Sequence, residues 1–486
     1  MKKYIILALI FGGLLSSCSG YLEFPPEGEI KGSDFWNDEA DAQAGVDAMY
    51  GYLRTWDISA FNYLIVSSLA SDEIIKGSVV GDGSWAVAYD NYEYTSTYEH
   101  IRDFWVARYK AINLSNQVID NVPGITMNES VKARMIAEAK FLRALHYFYL
   151  VRAFGGVPVI LSLEEARTGA ARSTVEETYA AIEADLLDAV DVLPSTLPQE
   201  EFGRATSWAA KALLAKVYMY EEKWTDCKAM TEDIIQNGQN YADQGPFDLY
   251  EDYYLLFRPE QEFCKESIFE ILSSEVDGNG DISKSQFAET QLPRGIANWG
   301  GWGWFAPSDA CAAAFDAAGD TLRKRVTILT YGDRTQDGDS ILGVTEMEGN
   351  SIPRYNGKVY VPSRFTHTTG PAGCEQNVRL IRFAEILLID AEAATHTGGD
   401  VATPLNRIRA RAKLDPIGSP TIEDVWRERQ LELAGEQDRF WDLVRTGRAA
   451  SVLGPLGFEA GKHELFPIPE KEIELLPDLL EQNPGW

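Results

Sequence analysis

The chain has 486 residues and far more acidic than basic side chains, with a formal net charge of −30 at pH 7. This charge argues against binding to nucleic acid and against adsorption onto anionic lipid, because both of those surfaces are negatively charged. The length exceeds the usual size of a single hydrophobic core, so two or more packed regions are expected.

The first residues have the pattern of an export signal. Two lysines precede an apolar run over residues 4–15, which is too short to remain in a bilayer as a spanning helix. The sequence LSSC at residues 15–18 then has the form of a lipobox, in which cleavage before Cys18 and lipidation of its thiol would anchor the chain to a membrane surface. We predict a lipoprotein signal peptide over residues 1–17 and a lipid anchor on Cys18. The alternative is an ordinary secretory signal with an incidental cysteine.

Four further cysteines, Cys227, Cys264, Cys311 and Cys374, lie far apart in the sequence and form no Cys-x-x-Cys pair. That spacing argues against a zinc site and against a redox pair. In an exported protein some of the four could form disulfides, and buried free thiols are the alternative. We predict no cofactor and no bound metal.

Residues 18–237 are predicted to form an N-terminal helical region. Acidic residues early in the segment that starts at Asp34 indicate its first helix. Residues 72–98 are rich in Gly, Ser and Tyr and have no helical period, so we predict a long aromatic loop there. Helix is predicted again at residues 99–122.

The chain is organised around the helix predicted over residues 131–154. Small and large apolar residues form one stripe along it, at alternating steps of four and three: Ala137, Phe141, Ala144, Phe148 and Val151. A second apolar stripe lies beside the first, so the helix should be covered on two sides. Gly155, Gly156 and Pro158 end it near Phe154. Periodicity alone predicts a purely structural role for this helix.

Three more helices are predicted over residues 174–193, 207–221 and 224–237, and the first begins with a capping-box sequence. Their order of small and large apolar residues loosely resembles tetratricopeptide units, although no clean 34-residue period is present. We therefore predict a mostly α protein with a tetratricopeptide-like helical-hairpin scaffold, an α/α superhelix, with a large loop-rich region and a few short strands.

Residues 238–376 form the loop-rich region, with one predicted strand at 267–272 and one helical piece at 308–318. A long region of this kind on a helical scaffold is typical of a ligand-binding face.

The C-terminal region, residues 377–486, has helices predicted at 378–395, 401–412 and 422–434. A proline-punctuated tail follows and is expected to lie along the body.

Several stretches resemble the SusD/RagB family in content and order: AEAKFLRALHYFYLVRAFGGVPVI, ESIFEI, VRLIRFAEILLIDAEAATHTGG, LNRIRARA, ERQLELAGEQDRFWDLVRTG, FPIPEKEI and QNPGW. The resemblance implies a surface lipoprotein of Bacteroidetes with a tetratricopeptide-like scaffold. It also implies a position over a SusC-like TonB-dependent outer-membrane transporter and capture of glycans or other nutrients. Gln430, Gln437 and Asp438 depart from the common family motif, but that motif belongs to the scaffold. No binding residue transfers from the family by motif.

The sequence NWGGWGWF at residues 298–305 is the main candidate for ligand contact. Its three tryptophans are separated by glycines that offer no packing partners, and Trp302 and Trp304 would point the same way in an extended chain. Flat aromatic rings suit the apolar faces of a sugar, and amides or carboxylates suit its polar rim. With the family resemblance, we predict that Trp299, Trp302 and Trp304 bind glycan. The alternative is an aromatic loop folded over the core.

Trp85 with Tyr89, in the other aromatic loop, is a second and weaker candidate for glycan contact. Asp72 and Asn298 are predicted to supply polar contacts, with little to distinguish them from their neighbours.

Motifs for catalysis are sparse. The five histidines are scattered, without metal-binding spacing, and no serine-nucleophile or phosphate-loop motif is present. Seventy-four acidic residues guarantee chance carboxylate pairs, so a glycosidase pair is neither indicated nor excluded. The sequence DRTQDGD at 333–339 lacks two calcium ligands of the loop it resembles, which favours a solvated turn.

Together with the resemblance to the SusD/RagB family, these observations predict a non-catalytic glycan-binding lipoprotein, anchored at the cell surface in the outer membrane by its lipid. It would capture oligosaccharide and deliver it to a SusC-like TonB-dependent transporter, without binding nucleic acid. Two alternatives remain: a secreted α-helical glycoside hydrolase or lyase, and a tetratricopeptide-like protein-binding module.

Overall fold

The computed structural model describes residues 35–241, 245–273, 285–294, 301–365 and 376–486. Helix accounts for 53% and strand for 7%, which confirms the mostly α class. Four predicted features lie outside the described residues: the signal peptide with Cys18, Asn298, Trp299 and Cys374.

The helices of the N-terminal region are α1 (Glu39–Tyr52), α2 (Trp56–Ser59), α3 (Phe61–Ser68), α4 (Val87–Asp90), α5 (Glu99–Asn121), α6 (Glu129–Phe154), α7 (Leu163–Thr168), α8 (Val175–Val192), α9 (Ser207–Tyr220) and α10 (Trp224–Asn237). Those that follow are α11 (Asp309–Ala318), α12 (Thr321–Thr327), α13 (Phe383–Thr397), α14 (Ala402–Arg411), α15 (Ile422–Leu433), α16 (Arg439–Arg445), α17 (Ala449–Leu453) and α18 (Glu470–Leu475).

Helix α6 is the central helix that the sequence predicts. Asn128 caps its start by accepting hydrogen bonds from two backbone N–H groups, and its end at Phe154 is followed by Gly155 with φ of 74°. Residues on all faces of its second half are buried, whereas two apolar stripes predict burial on two faces only. Arg143 is one of the polar side chains buried on this helix, and its pairing with Asp185 on α8 at 2.7 and 2.8 Å compensates its charge.

The long helices form one continuous stack. Helices α5, α6, α8, α9, α10, α13 and α15 each pack against the next in this order. At the start of α8, Thr174 and Glu177 form the reciprocal capping box that the sequence predicts. The stack confirms the tetratricopeptide-like helical scaffold.

The strands of the described residues form three antiparallel pairs. These pairs are β1 (Ile74–Lys76) with β3 (Phe305–Pro307), β2 (Ser267–Ile271) with β6 (Val378–Arg382), and β4 (Ile328–Thr330) with β5 (Arg354–Asn356). The prediction of helix from residue 378 was therefore wrong for its first five residues. Pairing with β2 draws this segment into a sheet, and the helix begins only at Phe383.

The loop-rich regions contain more regular structure than predicted. Residues 72–98 include β1, a 3₁₀ turn at Ser84–Ala86 and α4, while residues 238–376 include α11, α12 and four of the strands. Cys227, Cys264 and Cys311 are free thiols. The short elements depend on partners distant in sequence, so local periodicity does not reveal them.

The C-terminal tail packs against the end of α6. Asn483 is buried and donates hydrogen bonds from its amide to the backbone oxygens of Phe154 and Phe466, at 3.1 and 2.7 Å. It therefore satisfies a carbonyl that the helix itself leaves without a partner.

Candidate functional site

Pairing of β1 with β3 joins the two aromatic loops that the sequence predicts. Lys76 lies opposite Phe305, and the contact continues beyond the strands because Gly77 N–H donates to Trp304 O and Ser78 N–H to Gly303 O. A Cβ atom on Gly77 would lie 2.2 Å from Gly303 O, so this close approach requires glycine. The segments that carry Trp85 and Trp304 are thus held side by side.

Six rings meet at this junction and form what we call the aromatic cluster: Trp56, Phe61, Trp85, His100, Trp302 and Trp304. They come from α2, α3, α5, the 3₁₀ turn before α4 and the loop before β3. Phe61 lies at the centre, with its ring centroid within 6.4 Å of those of the other five. Trp85, Trp302 and Trp304 were predicted, whereas Trp56, Phe61 and His100 were not.

Trp85 is the most exposed ring of the aromatic cluster. Its side chain is 39% exposed and lies parallel to His100, with ring centroids 4.0 Å apart and planes inclined by 10°. Burial lowers the pKa of His100 to about 4, so its imidazole is neutral at neutral pH. The pair therefore presents a flat, uncharged aromatic surface.

Trp302 lies on the same side of Phe61 as Trp56. It is half-buried, with its ring centroid 5.4 Å from that of Trp56, and Trp56 stacks on Phe61 at 4.8 Å. The segment is not extended, because Gly303 has φ of 66°, so the condition under which Trp302 and Trp304 would point the same way is not met. Both Trp302 and Trp304 nevertheless reach Phe61.

Trp304 is a buried member of the aromatic cluster. It is only 7% exposed, lies 4.8 Å from Phe61 by ring centroid, and fits so closely over Gly83 that a Cβ atom there would lie 2.1 Å from the indole. Lys76 Nζ lies 5.8 Å from the ring centroid and is paired with Glu348 at 2.9 Å. The alternative of an aromatic loop folded over the core thus describes Trp304, but it does not describe the more exposed rings.

Two predicted contact residues lie elsewhere. Tyr89 is fully buried and stacks on Tyr94 with centroids 5.2 Å apart, so it offers no ring face to a ligand. Asp72 forms a two-bond ion pair with Arg439, at 2.7 and 2.8 Å. Both carboxylate oxygens of Asp72 therefore have a partner within the protein.

A polar group that was not predicted lies next to the aromatic cluster in the chain. Asn62 is buried and its amide donates to Asp57 at 2.7 Å and to Asp103 at 3.2 Å. Burial raises the pKa of both carboxyl groups, and the charge of Asp57 raises that of Asp103 further. Asp57 follows Trp56, and Asp103 lies one helical turn beyond His100. The sequence signal was an aromatic residue followed directly by Asp or Asn, at residues 56–57 and 61–62.

Arg294 adds a cation beside the loop of Trp304. Its side chain is partly exposed, and Nη1 donates to Ser78 Oγ at 2.8 Å and to the Asp82 carboxylate. Asp82 immediately precedes Gly83, on which Trp304 rests. Flat rings with carboxylate, amide and guanidinium groups around them make a surface suited to the apolar faces and hydroxyl rim of a sugar.

Within the described ranges, no three His, Cys, Asp or Glu side chains are grouped so as to hold a metal ion. In the turn at 333–339, Asp337 accepts a hydrogen bond from Arg364 and Asp339 from Ser363. These carboxylates are therefore engaged with the protein.

Among the described helices, none combines the length and apolarity required to cross a bilayer.

Comparison with known proteins gives consistent matches over most of the chain. Residues 21–219 match a family model described as starch-binding and associating with the outer membrane, and residues 265–486 match the SusD family model. SusD-like protein P2 of Formosa agariphila is 28% identical, with all of both chains covered. A SusD-like protein of Bacteroides ovatus is 26% identical over 91% of this chain and 82% of its own.

Among solved structures, a laminarin-binding SusD-like protein superimposes with a TM-score of 0.81 and 29% sequence identity. The match covers 93% of this chain and all of the other. All three of these proteins are named as SusD-like, and the name of the solved structure also gives the glycan that it binds, laminarin.

Proposed function

This chain belongs to the SusD/RagB family, and on that premise we propose that it is a surface glycan-binding protein whose binding site is the aromatic cluster. The carrying observation is the exposed ring of Trp85, stacked in parallel on half-buried His100 and lying beside half-buried Trp302 and Trp56. Aromatic rings that are held in place by packing lose little conformational entropy when a ligand stacks on them. Tyr89 and Asp72 are not part of the proposed site, because each is engaged within the protein.

We propose an uncharged glycan as the ligand. The carboxylates of Asp57 and Asp103 can accept hydrogen bonds from sugar hydroxyls, whereas a polyanionic chain would meet these groups and a net charge of −30. The similarity to a laminarin-binding protein supports a neutral β-glucan as the first ligand to examine.

The protein works, in this proposal, as a non-catalytic lipoprotein. Acylation of Cys18 anchors it in the outer membrane, and it passes captured oligosaccharide to a SusC-like TonB-dependent transporter. The lipobox sequence supports the anchor, and the family resemblance supports the partner.

The test uses a soluble form that lacks residues 1–18, titrated calorimetrically with laminarin. Trp85→Ala and Trp302→Ala should each weaken binding roughly tenfold, because a stacked ring contributes on the order of 1–3 kcal/mol. Tyr331→Ala is the matched control, since Tyr331 is 37% exposed but lies outside the aromatic cluster.

Affinity for laminarin that is unchanged in both tryptophan variants would exclude the aromatic cluster as the site. If the unmodified protein does not bind laminarin, a glycan array identifies the ligand, and the same variants are then compared on it. Equal losses in Tyr331→Ala and in the tryptophan variants would also contradict the proposal.

A further inference from the structure

A second aromatic surface lies outside the aromatic cluster, where the end of α13 meets the start of α15. It is an open cleft of about 550 Å³ with Thr395 and His396 on one side and Ile422 and Trp426 on the other. We call it the helix-end cleft. Its volume falls within the range of small-ligand pockets in proteins.

The lining of the helix-end cleft contains no carboxylate, ammonium or guanidinium group. None of the ten described residues that line it is Asp, Glu, Lys or Arg, although 24% of the whole chain is charged. Its lining consists of small and apolar residues together with two threonines, one histidine and one tryptophan. A surface of this composition is suited to a neutral ligand with both apolar faces and hydroxyl groups.

The indole of Trp426 is fixed in orientation. Its Nε1 donates to Glu392 at 3.1 Å, and the Arg448 guanidinium lies 4.4 Å from its ring centroid. Glu392 is itself held by a two-bond ion pair with Arg445, at 2.6 and 2.8 Å. The half-buried ring is thus a rigid wall of the cleft.

A stacked Trp–His pair lies at the edge of the cleft, since His396 lines the cleft and Trp224 packs behind it. His396 is exposed and lies parallel to Trp224, with ring centroids 3.9 Å apart and planes inclined by 6°. The corresponding values for His100 and Trp85 are 4.0 Å and 10°. Two surfaces of one chain therefore carry a stacked Trp–His pair, in which the indole of Trp85 is the more exposed ring at one surface and the imidazole of His396 at the other.

From these observations we infer that the helix-end cleft is a second carbohydrate-binding site, which takes a segment of a neutral glycan. Two sites on one chain would increase the strength with which it holds a long polysaccharide, provided that the polysaccharide can reach both. Only the choice of the glycan probes below rests on the proposed function.

The test adds a charge to the cleft or removes its exposed ring, in variants Ile422→Glu and His396→Ala. Glu is favourable at the first position of a helix, so Ile422→Glu should fold. Leu475→Glu is the matched control, because Leu475 is 68% exposed and outside the cleft. Each variant is made in the soluble protein and again in the Trp85→Ala/Trp302→Ala background. Affinity electrophoresis then measures binding to laminarin, amylopectin, galactomannan and xylan, with melting temperature recorded in parallel.

Both cleft variants should weaken binding to at least one of these neutral polysaccharides by about tenfold at unchanged melting temperature, and Leu475→Glu should not. Unaltered binding in both cleft variants, equal loss in the control, or binding of none of the four polysaccharides by any form would overturn the inference. Loss of co-purification with a SusC-like transporter, measured for the same variants in cells, at unchanged glycan binding would also overturn the inference, in favour of a protein-docking role. If the Trp85→Ala/Trp302→Ala background retains full affinity while the cleft variants lose it, the proposed site fails and the helix-end cleft stands.

Discussion

The indole of Trp85 and the imidazole of His100 lie face to face, with ring centroids 4.0 Å apart. Burial keeps His100 neutral by lowering its pKa to about 4. The stacked pair therefore remains an uncharged platform over the whole range near neutral pH, and this property can be measured.

His100 should accordingly add no pH dependence to the affinity for a neutral glycan between pH 8 and pH 5.5, so the wild type and His100→Gln should have the same pH profile in calorimetric titrations over this range. The pKa of His100 in the folded chain lies well below this range, so its charge does not change there. A fall in affinity with a midpoint near pH 6.5, absent in His100→Gln, would show that the imidazole titrates as an exposed group and would contradict this picture.

The same histidine should make stability depend on pH. Its pKa is about 4 in the folded chain and 6.5 in the reference state, so the unfolded chain takes up a proton first as pH falls. The contribution of His100 is therefore fully present above pH 6.5 and is lost as pH falls towards 4. Urea unfolding at pH 7 and pH 4.5 should show a larger loss in the wild type than in His100→Gln. An identical loss in both proteins would refute the assignment.

Trp302→Ala and Trp304→Ala should behave differently, because the first ring is half-buried and the second is 7% exposed. Trp302→Ala should lower glycan affinity roughly tenfold with little change in melting temperature. Trp304→Ala should lower the free energy of unfolding by about 3–5 kcal/mol, since it removes a packed ring between Phe61 and Gly83. A Trp304→Ala protein of normal melting temperature would show that this ring is not structural.

Asp72 should matter for stability rather than for direct ligand contact. It joins the start of β1 to α16 through its ion pair with Arg439, and both side chains are largely buried. Arg439→Ala should cost about 3–5 kcal/mol in the free energy of unfolding, because it leaves a buried carboxylate without its partner. Arg167→Ala breaks the exposed pair of Arg167 with Glu164 and should cost at most about 1 kcal/mol. Equal costs for the two variants in urea unfolding would contradict this role.

Cys18→Ala should abolish fatty-acid labelling and release the protein from the membrane fraction of cells, because the lipobox cysteine is the predicted acylation site. Cys264→Ala is the control and should keep both properties, since Cys264 lies in the folded body. Labelling that persists in Cys18→Ala would place the anchor elsewhere.

The purified protein should leave the chain length of a bound glycan unchanged. Asp57 and Asp103 are the carboxylates to examine, because both have a raised pKa and share Asn62 next to the aromatic cluster. Chromatography of the glycan after long incubation is the measurement. New reducing ends that disappear in Asp57→Asn or Asp103→Asn would make the protein a glycosidase rather than a binding protein.

Local sequence determined most of the long helices of this protein, with their ends, although not the start of α13. The start of α8 at its capping box, the end of α6 at Phe154 and the bounds of α10 all follow from residues within a few positions of each other. Helical hydrogen bonds and caps are local, which is why a single sequence contains the information. The division into three mature regions and the identity of the ligand residues stay predictions.

Tertiary structure decided which aromatic residues meet. Trp56 on α2 and Trp302 in the loop before β3 are in contact although they are far apart in the chain, and the pairing of β1 with β3 holds these two parts of the chain together. The same sequence pattern of Gly-spaced tryptophans leaves Trp302 half-buried and Trp304 beneath the surface. Exposure depends on what other segments cover, and the packing of distant segments is not encoded in local spacing. For this reason the sequence could point to aromatic loops, but only the fold could show which of their rings are accessible to a ligand and which are packed beneath them.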